Sequence, residues 1–409
     1  MPEHLNITFM KLGIIREEKN PPDKRVPLIP EQCKSLMEKY PRLEVVVQSS
    51  KDRCFKDEEY LSAGIPVVDD ISDCDVLMGV KEVPKENLVP GKTYFFFSHT
   101  IKKQPYNRPL LQEVLKRKVR LIDYEVLTDK KGFRIIGFGH FAGLVGAYNA
   151  LLTYGKKHNL YDLKPANRCY DLKELKQEVK KIDAPSVRIA VTGSGRVANG
   201  VVEILKEAGI KRLSVEEYLK GDRVEMPVYV QLEPGDYNKH KSADKFDLMH
   251  FFKNPTEYEG DFKRFIPVSD ILISAAYWDP AAPVLFENDD MKKEDFNIDV
   301  IADITCDIKG SIPSTVRACT IAEPCYDYDP WSEGEKPPFS DDKLITVMAV
   351  DTLPGELPVD ASREFGSQLM SGVLPNLIEE DKDGVIERAS VTKDGKLTEY
   401  FEYLSDYVK

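Results

Sequence analysis

A glycine-containing turn near the middle of the chain constrains the fold more than any other feature. Residues 187–204 run from an apolar segment through this turn into a segment with helical spacing. Gly193 permits the tight turn, Gly195 lets a ligand's phosphates approach the backbone, and Ala198 and Gly200 let the helix pack on its strand. The amino end of that helix faces the phosphates. The pattern predicts a dinucleotide site, although a plain strand-to-helix turn remains the alternative on these residues alone.

Length and composition narrow the class of protein. The 409 residues exceed the roughly 250–300 at which a single core stops growing, so we expect two domains. With 69 acidic and 57 basic residues the formal net charge is −12, which offers no basic surface for nucleic acid. No apolar run approaches the ~20 residues of a membrane span, and the first residues lack a signal segment. The seven cysteines are scattered without a close pair, so neither disulfides nor a zinc site are expected. We expect a cytoplasmic protein that acts on small molecules, without nucleic acid or membrane partners.

The first part of the chain alternates predicted strands and helices. Amphipathic spacing indicates helices at 30–39 and 109–118. Short apolar runs predict strands at 12–15, 43–47, 75–80, 93–98 and 120–127. This is a complete α/β layer in its own right.

A second α/β layer follows a predicted helix at 138–157 and a polar connection at 159–185. The apolar face of a helical pattern at 361–379 needs a partner, so we expect this segment to return to the first domain. We predict an α/β protein of two Rossmann-like, doubly wound domains with a cleft between them, the first being discontinuous. The predicted domains are residues 1–145 with 352–409, and residues 146–351. The second has predicted strands at 188–191, 270–275, 300–303 and 344–350, and a charged, tyrosine-rich insertion at 218–262.

Ionisable side chains follow two predicted strands of the first domain. Lys81 and Glu82 follow one strand, and His99 follows the other, with Lys102 three residues later. If the strands are parallel, Lys81 and His99 share one edge of the sheet. They are a usable acid and base pair, because burial and a like charge lower the pKa of a lysine toward the working pH. A solvated lysine and a structural histidine are the alternatives.

Five other charged residues lie at the ends of predicted strands or in the loop after the first. The guanidinium of Arg25 could hold a carboxylate, or form a surface ion pair. Glu125 could tune the pair or bind an amine, or form a structural salt bridge. Asp303, Asp307 and Asp351 follow strands of the second domain, where a nicotinamide would lie, or they cap turns.

Several motifs, in order, resemble known oxidoreductases from about residue 11 to about residue 405. Residues 16–30, Arg-Glu-Glu-Lys-Asn-Pro-Pro-Asp-Lys-Arg-Val-Pro-Leu-Ile-Pro, resemble the opening of the alanine dehydrogenase and transhydrogenase superfamily. Four further motifs resemble lysine-forming saccharopine dehydrogenases, and most closely the lysine-2-oxoglutarate reductase half of the bifunctional lysine-degrading enzyme. These are Phe-Phe-Ser-His-Thr-Ile-Lys (96–102), Arg-Leu-Ile-Asp-Tyr-Glu (120–125), Cys-Asp-Ile-Lys-Gly-Ser-Ile (306–312) and Val-Asp-Thr-Leu-Pro-Gly-Glu-Leu-Pro (350–358).

The resemblance implies an activity and a set of site residues. Such an enzyme joins the side-chain amine of lysine to the keto carbon of 2-oxoglutarate, releases water, and reduces the imine to saccharopine with hydride from NAD or NADP. Lys81 and His99 match the catalytic acid and base. Arg25 matches the arginine that binds the substrate carboxylate, and Glu82 and Glu125 match acidic neighbours that adjust the pair. With Lys102, these are the expected substrate-site residues. The expected cofactor contacts are Gly193, Ser194, Gly195, Arg196, Val197, Ser214, Ala275, Ala276, Asp303, Asp307 and Asp351.

The choice between NAD and NADP stays open on the sequence. The predicted strand 211–215 passes through Ser214 without a clear ribose-binding aspartate. Lys211, Arg212 or Arg196 could instead meet a 2′-phosphate.

Several alternatives also stay open. An alanine dehydrogenase or another opine-type dehydrogenase could use the same residues. A transhydrogenase-type or non-catalytic nucleotide-binding component is an alternative of another class, in which Lys81 and His99 have no evident task.

The wider family often has a lysine in the first loop. Lys19 and Asn20 both lie near that position of the sequence, and the match is not clean. The second enzyme of the bifunctional protein is not in this sequence, so we expect the chain to act alone or to pass saccharopine to a separate partner. The direction of reaction, the choice between lysine and a near analogue, and the oligomeric state are not predicted.

Overall fold

The computed structural model describes residues 9–20, 22–183, 186–221, 225–242 and 245–409. Several residues named in the sequence analysis lie outside the described residues. They are the first eight residues, where no signal segment was predicted, residue 21 of the opening motif, residues 184–185 of the predicted connection, and residues 222–224 and 243–244 of the predicted insertion. The chain forms two compact units, Met1–Phe138 with Pro358–Lys409, and Gly139–Leu357. Each is an α/β unit built on a largely parallel sheet, as predicted.

The first unit contains a six-stranded sheet in which every pair of neighbouring strands is parallel. The strand order is β3-β2-β1-β4-β5-β6, which is the Rossmann order. The strands are β1 (Met10–Ile14), β2 (Leu43–Gln48), β3 (Val67–Val68), β4 (Val76–Met78), β5 (Thr93–Phe96) and β6 (Arg120–Asp123). The helices between them are α1 (Pro30–Lys39), α2 (Asp57–Ser62) and α3 (Arg108–Lys116).

The carboxyl-terminal residues complete the first unit. The amide of Val26 donates to Ser362 Oγ at 2.9 Å, and Gln32 donates to the carbonyl oxygen of Arg363 at 2.8 Å. The single helix predicted at 361–379 is broken after residue 372, because Pro375 has no amide hydrogen to continue it. The elements are helices α10 (Pro358–Gly372), α11 (Leu374–Ile378) and α12 (Val385–Ala389), and the hairpin of β17 (Thr392–Lys393) and β18 (Lys396–Leu397).

The second unit contains an eight-stranded sheet in the order β15-β14-β16-β13-β12-β7-β9-β8. Six neighbouring strands are parallel, and β14 and β15 form an antiparallel edge. The strands of this sheet are β7 (Arg188–Thr192), β8 (Lys211–Arg212), β9 (Val228–Leu232), β12 (Ile271–Ser274), β13 (Val300–Asp303), β14 (Cys325–Asp329), β15 (Gly334–Lys336) and β16 (Ile345–Met348). The helices are α4 (Gly139–Lys157), α5 (Leu172–Val179), α6 (Arg196–Glu207), α7 (Val215–Leu219), α8 (Pro234–Tyr237) and α9 (Leu248–Lys253), and a separate ribbon pairs β10 (Asn238–His240) with β11 (Tyr258–Gly260).

The predicted insertion supplies an interior strand of this sheet, next to the edge. Strand β9 pairs in parallel with β7, and β8 pairs only with β9. The second and third strands of the unit have therefore exchanged the positions that they hold in the Rossmann order. The predicted strand 211–215 is reduced to two residues at the sheet edge.

Helices α4 and α6 cross at close approach. A Cβ on Gly200 would lie 2.1 Å from the carbonyl oxygen of His140, and one on Gly143 would lie 1.9 Å from that of Val197. Gly200 therefore contacts helix α4, whereas the sequence had predicted that it packs on its own strand. The predicted boundary at 145/146 falls inside α4, and the division between the units lies at 138/139 because this helix packs against the second sheet.

Two further expectations concern the whole chain. Among the described residues, no helix combines the length and apolar character that a bilayer span requires. All seven cysteines are unpaired.

Candidate active site

Lys81 and His99 follow neighbouring parallel strands of the first unit. Strand β4 pairs with β5 from Val76 opposite Thr93 to Met78 opposite Phe95. The amide of Phe97 donates to the carbonyl oxygen of Val80 at 3.0 Å, which keeps the two chains together beyond the strands. Both side chains therefore begin at the carboxyl edge of this sheet, where ligands of parallel α/β sheets bind.

Glu82 links these two strand ends. Its Oε1 lies 2.6 Å from Nδ1 of His99, and its Oε2 lies 3.3 Å from Nζ of Lys19. Burial acts to raise the pKa of Glu82, but the hydrogen bond and charge of His99 outweigh it and lower the pKa to about 2. Glu82 is therefore ionised at working pH, and Nε2 of His99 is the ring nitrogen left for proton transfer.

A glutamate that sequence reasoning missed holds the backbone beneath Lys81. Both carboxylate oxygens of Glu17 accept amide hydrogens, from Val80 at 2.6 Å and from Lys81 at 2.9 Å. Burial raises the pKa of Glu17 to about 8, although these two hydrogen bonds act to lower it. Glu17, Lys81 and Glu82 line one cavity of about 250 Å³. The signal in the sequence was an acidic residue three positions after the end of a buried strand.

The electrostatic surroundings of Lys81 favour its neutral form. Burial, and then the positive charge of Arg25, lower the pKa of Lys81, while Asp23 acts in the opposite direction. A lysine that loses its proton more readily is better suited to exchange protons with a substrate.

Arg25 is buried and already paired. Its Nε lies 2.9 Å from Oδ1 of Asp23 and its Nη2 lies 2.6 Å from Oδ2, so Asp23 occupies one side of the guanidinium. The ring of Phe138 lies beneath the guanidinium, with its centroid 4.2 Å from Cζ. Arg25 is thus a buried rather than a surface ion pair, and Asp23 accepts hydrogens from Nε and Nη2 but not from Nη1. Asp23 was not predicted.

Asp123, a buried residue at the end of β6, fixes the turn that carries His99. It accepts hydrogen bonds from the amide and hydroxyl of Ser98, at 3.1 and 2.5 Å, and from the amide of Glu125 at 2.8 Å. His99 itself adopts a left-handed conformation with φ of 53°. One buried carboxylate therefore orients two predicted site residues, and the sequence analysis did not single it out.

The other two predicted substrate residues form an ion pair. Nζ of Lys102 lies 3.0 Å from Oε1 of Glu125. Lys102 is about half exposed and Glu125 is largely covered. Both lie in short turns that directly follow β5 and β6, at the same edge as His99.

The glycine turn of the second unit fits a dinucleotide. Gly193 has a φ of +100°, and a Cβ there would lie 2.9 Å from the carbonyl oxygen of Ala275 and 3.1 Å from Cα of Ala276. Gly195 caps the twelve-residue helix α6, and no heavy atom lies within 4 Å of where its Cβ would be. The open space meets the amino end of a helix, which favours phosphate. Ser194 and Arg196 are exposed and Val197 is half-buried beside this space.

Ser214 is not next to the glycine turn, which corrects the sequence prediction. Its hydroxyl donates to Glu217 Oε2 at 2.7 Å and caps α7, beyond the edge strand β8. The strand beside β7 is β9, and Gln231 on it donates to the carbonyl oxygen of Gly193 at 3.1 Å. Glu233, exposed directly after β9, stands where a Rossmann unit places its ribose-binding acid. The sequence hid this residue because the insertion separates it from the glycine turn.

Asp303 has a structural role in its own loop. Its Oδ1 accepts from the hydroxyl of Thr305 at 2.6 Å, and its Oδ2 accepts from Thr315 at 2.7 Å. The side chain is buried, so the predicted cofactor contact is replaced by the turn-capping alternative. Asp307 and Asp351 are exposed after the neighbouring parallel strands β13 and β16.

A cavity of about 290 Å³ opens beside the glycine turn within the second unit. It lies at the carboxyl ends of β7 and β12, between which the strand order reverses. The insertion forms one wall of this cavity and the segment after β12 forms another. Its apolar lining includes Tyr237, Phe251, Phe252, Pro255, Tyr277 and Trp278.

Comparisons with known proteins identify relatives of the chain. The family described as "Alanine dehydrogenase/PNT, N-terminal domain" matches residues 13–145. Over 437 residues the chain is 29% identical to an alpha-aminoadipic semialdehyde synthase from Arabidopsis thaliana, covering 96% of this chain and 41% of that protein. Over 380 residues it is 26% identical to a saccharopine dehydrogenase (NAD(+), L-lysine-forming) from Emericella nidulans, covering 88% and 90%.

The chain is a homologue of these enzymes. They are oxidoreductases that act on CH–NH donors. The chain spans less than half the length of the semialdehyde synthases that it matches. A solved L-alanine dehydrogenase has a TM-score of 0.66 at 15% identity and covers 98% of this chain and 100% of its own. That likeness shows the two-domain Rossmann-type fold.

Proposed function

We propose that the chain reductively condenses L-lysine with 2-oxoglutarate to saccharopine, reversibly, using a nicotinamide cofactor. The observation that carries this proposal is the arrangement of Lys81 and the Glu82–His99 pair at the ends of β4 and β5. The homology to lysine-forming saccharopine dehydrogenases supports the choice of substrates.

The chain's own residues would manage the protons of this reaction. Formation of the imine joins the amine nitrogen to the keto carbon, breaks the carbon–oxygen bond and releases water, so protons must move at both nitrogen and oxygen. Lys81, with its lowered pKa, takes the proton from the substrate amine. His99 gives a proton through Nε2 to the departing oxygen, while Glu82 holds Nδ1. When bound, the reduced nicotinamide supplies the hydride that converts the imine to the secondary amine.

Three charged groups are suited to the carboxylates and amines of these substrates. The Nη1 hydrogens of Arg25 face away from its pairing with Asp23 and would bind a carboxylate of 2-oxoglutarate. Lys102 and Glu125, already paired with each other, would exchange that contact for a substrate carboxylate and a substrate ammonium.

NAD is the cofactor that the second unit favours. The turn at Gly193 and Gly195 and the amino end of α6 would hold the pyrophosphate. Glu233, after the strand beside β7, would accept hydrogen bonds from the adenosine ribose and repel a 2′-phosphate. We therefore infer NAD rather than NADP.

An absorbance assay tests the function. We expect NADH to be consumed when lysine and 2-oxoglutarate are supplied together, and not with pyruvate and ammonia. Consumption with pyruvate and ammonia instead would favour an alanine dehydrogenase. NADH binding without turnover of either pair would favour a non-catalytic nucleotide-binding component.

Two variants test the assigned residues. Lys81→Met and His99→Gln are each expected to lower kcat by about 10²–10⁴, the usual contribution of one general acid or base. NADH affinity, measured by fluorescence titration, serves as the control and should be retained. Unchanged turnover in both variants removes these roles.

A further inference from the structure

Two histidines and a glutamate of the insertion converge on one point in the second unit. Nε2 of His240 and Nε2 of His250 lie 3.4 and 3.8 Å from the same oxygen, Oε2 of Glu257. The potential ligand atoms of all three residues lie within 4.8 Å of one another. Both histidines are half-buried and the glutamate is exposed. We infer that these side chains bind one divalent cation of the Zn²⁺ type.

Two of the three separations between ligand atoms are close to those around a tetrahedral ion. Zinc binds imidazole nitrogen and carboxylate oxygen at about 2.0–2.2 Å, so neighbouring ligand atoms are roughly 3.3–3.6 Å apart. The two distances to Glu257 are close to this value before any ion is bound. Two imidazoles and one carboxylate leave the fourth position for water. Imidazole ligands select Zn²⁺ over Mg²⁺ and Ca²⁺, which prefer oxygen.

The surroundings of His250 prepare its ring for a metal. Nδ1 of His250 lies 3.1 Å from the hydroxyl of Tyr258, and that hydroxyl donates to the carbonyl oxygen of Asp247 at 3.1 Å. Because the hydroxyl hydrogen is engaged, its oxygen accepts the Nδ1 proton of His250. The lone pair of Nε2 is then directed to the side of Glu257. Metal-binding histidines are commonly oriented by such an outer hydrogen bond.

His240 completes the site by a change of tautomer. The amide of Ser242 donates to Nδ1 of His240 at 3.1 Å, which leaves the ring proton on Nε2 beside Glu257. Binding of a cation at Nε2 moves that proton to Nδ1, which breaks the hydrogen bond from the Ser242 amide, and the Ser242 hydroxyl, 3.4 Å away, then accepts the proton on Nδ1. The pair of His250 and Glu257 is therefore the part of the site that is already arranged.

The cation would connect two pieces of the insertion that also meet through the ring contacts of Tyr258 with Phe246 and Phe251. His250 lies on α9, His240 ends β10, and Glu257 directly precedes β11. The same segment supplies Phe251 and Pro255 to the cavity beside the glycine turn. A bound cation would hold this wall in place. If the cavity holds a dinucleotide, the cation should also raise the affinity for NADH. Binding of the cation does not depend on the proposed function, but this effect on NADH affinity rests on it.

Zinc binding to the full chain without a histidine tag tests the proposal. The protein is stripped with a chelator and dialysed against Zn²⁺, and the metal bound per chain and the thermal midpoint are measured. We expect one Zn²⁺ per chain and a raised midpoint. His250→Gln and Glu257→Gln should lose both effects, and Glu259→Gln, in the same ribbon, should keep them. Tyr258→Phe should weaken zinc affinity about 10-fold or more.

Equal zinc content in all variants, or none in the unaltered chain, overturns the proposal. Because a variant could fail to fold, titration of the unaltered chain with Co²⁺ gives an independent result. Tetrahedral visible bands that Zn²⁺ displaces support the site, and their absence overturns it. Failure of the lysine assay leaves the zinc result intact. NADH affinity is compared with and without bound Zn²⁺. An unchanged affinity rejects only the proposed effect of the cation on the cavity wall, and not the cation site.

Discussion

Nδ1 of His99 lies 2.6 Å from Oε1 of Glu82, the residue that directly follows Lys81. The contact joins the end of β5 to the end of β4. It fixes the imidazole through one nitrogen and leaves the other for chemistry. A carboxylate adjacent in sequence to the lysine thus orients the histidine from the neighbouring strand.

Glu82→Gln should reduce stability at neutral pH but not near pH 2. The pKa of Glu82 in the fold is about 2, below its ordinary value of 4.5. Its contribution is therefore fully present above about pH 4.5 and is lost as the pH falls through 2. The size is on the order of 3 kcal/mol. Urea unfolding of both proteins across this range measures the difference, and a difference independent of pH contradicts the assignment.

Glu17→Gln should change the pH dependence of stability in the opposite direction. The pKa of Glu17 is raised by burial to about 8, so between about pH 4.5 and 8 the folded chain holds a proton that the unfolded chain loses. The unfolding free energy of the unaltered chain therefore falls as the pH rises through this window, and glutamine removes that slope. Urea unfolding at several pH values compares the two proteins. Parallel pH profiles would show that the pKa of Glu17 is not raised.

Glu233→Gln should weaken the preference for NADH over NADPH. Loss of the carboxylate removes a ribose acceptor and the repulsion of a 2′-phosphate. We expect the ratio of the two kcat/KM values to fall about 10-fold, or roughly 1.4 kcal/mol. Glu216→Gln is the matched control, because Glu216 follows the edge strand beside Ser214, which the sequence had predicted as a cofactor contact. A shift in the control alone would restore that earlier prediction.

Gly200→Ala and Gly195→Ala should separate packing from ligand binding. The added methyl at Gly200 lies 2.1 Å from the carbonyl oxygen of His140, and such overpacking costs about 1–3 kcal/mol. At Gly195 the methyl meets no heavy atom within 4 Å, so stability should hold while NADH affinity falls. Chemical unfolding and NADH titration of both variants give the comparison. Equal stability of the two variants contradicts the close helix crossing.

The sequence predicted the α/β class and most strands, because apolar runs and amphipathic segments report burial directly. It could not predict the strand order of the second sheet. Strand β9 lies in a charged, tyrosine-rich segment that gives little sign of a strand paired on both sides. The error at Ser214 follows from this, because chain order was taken for spatial order. Helix α10 ended early because Pro375 interrupts a face that is otherwise periodic.

The candidate site was predicted where residue type alone indicates chemistry. Lys81 and His99 were found because the ends of parallel strands meet at one edge. Glu17, Asp23 and Asp123 were missed, because their roles depend on their hydrogen-bond partners. Glu17 and Asp123 accept from amides that are distant in sequence, and Asp23 pairs with a guanidinium that a turn brings to it. In the sequence, Asp303 cannot be distinguished from an exposed acidic residue at the end of a strand. In the structure, both of its carboxylate oxygens accept hydrogen bonds from the hydroxyls of Thr305 and Thr315.

The position of β9 beside β7 determines where this chain tolerates changes in length. A deletion that begins before residue 232 would cut into β9 and separate the edge strand β8 from the rest of the second sheet, although the sequence predicts an insertion there. Trimming or grafting in this region therefore has to start after that strand and after the exposed Glu233 that follows it.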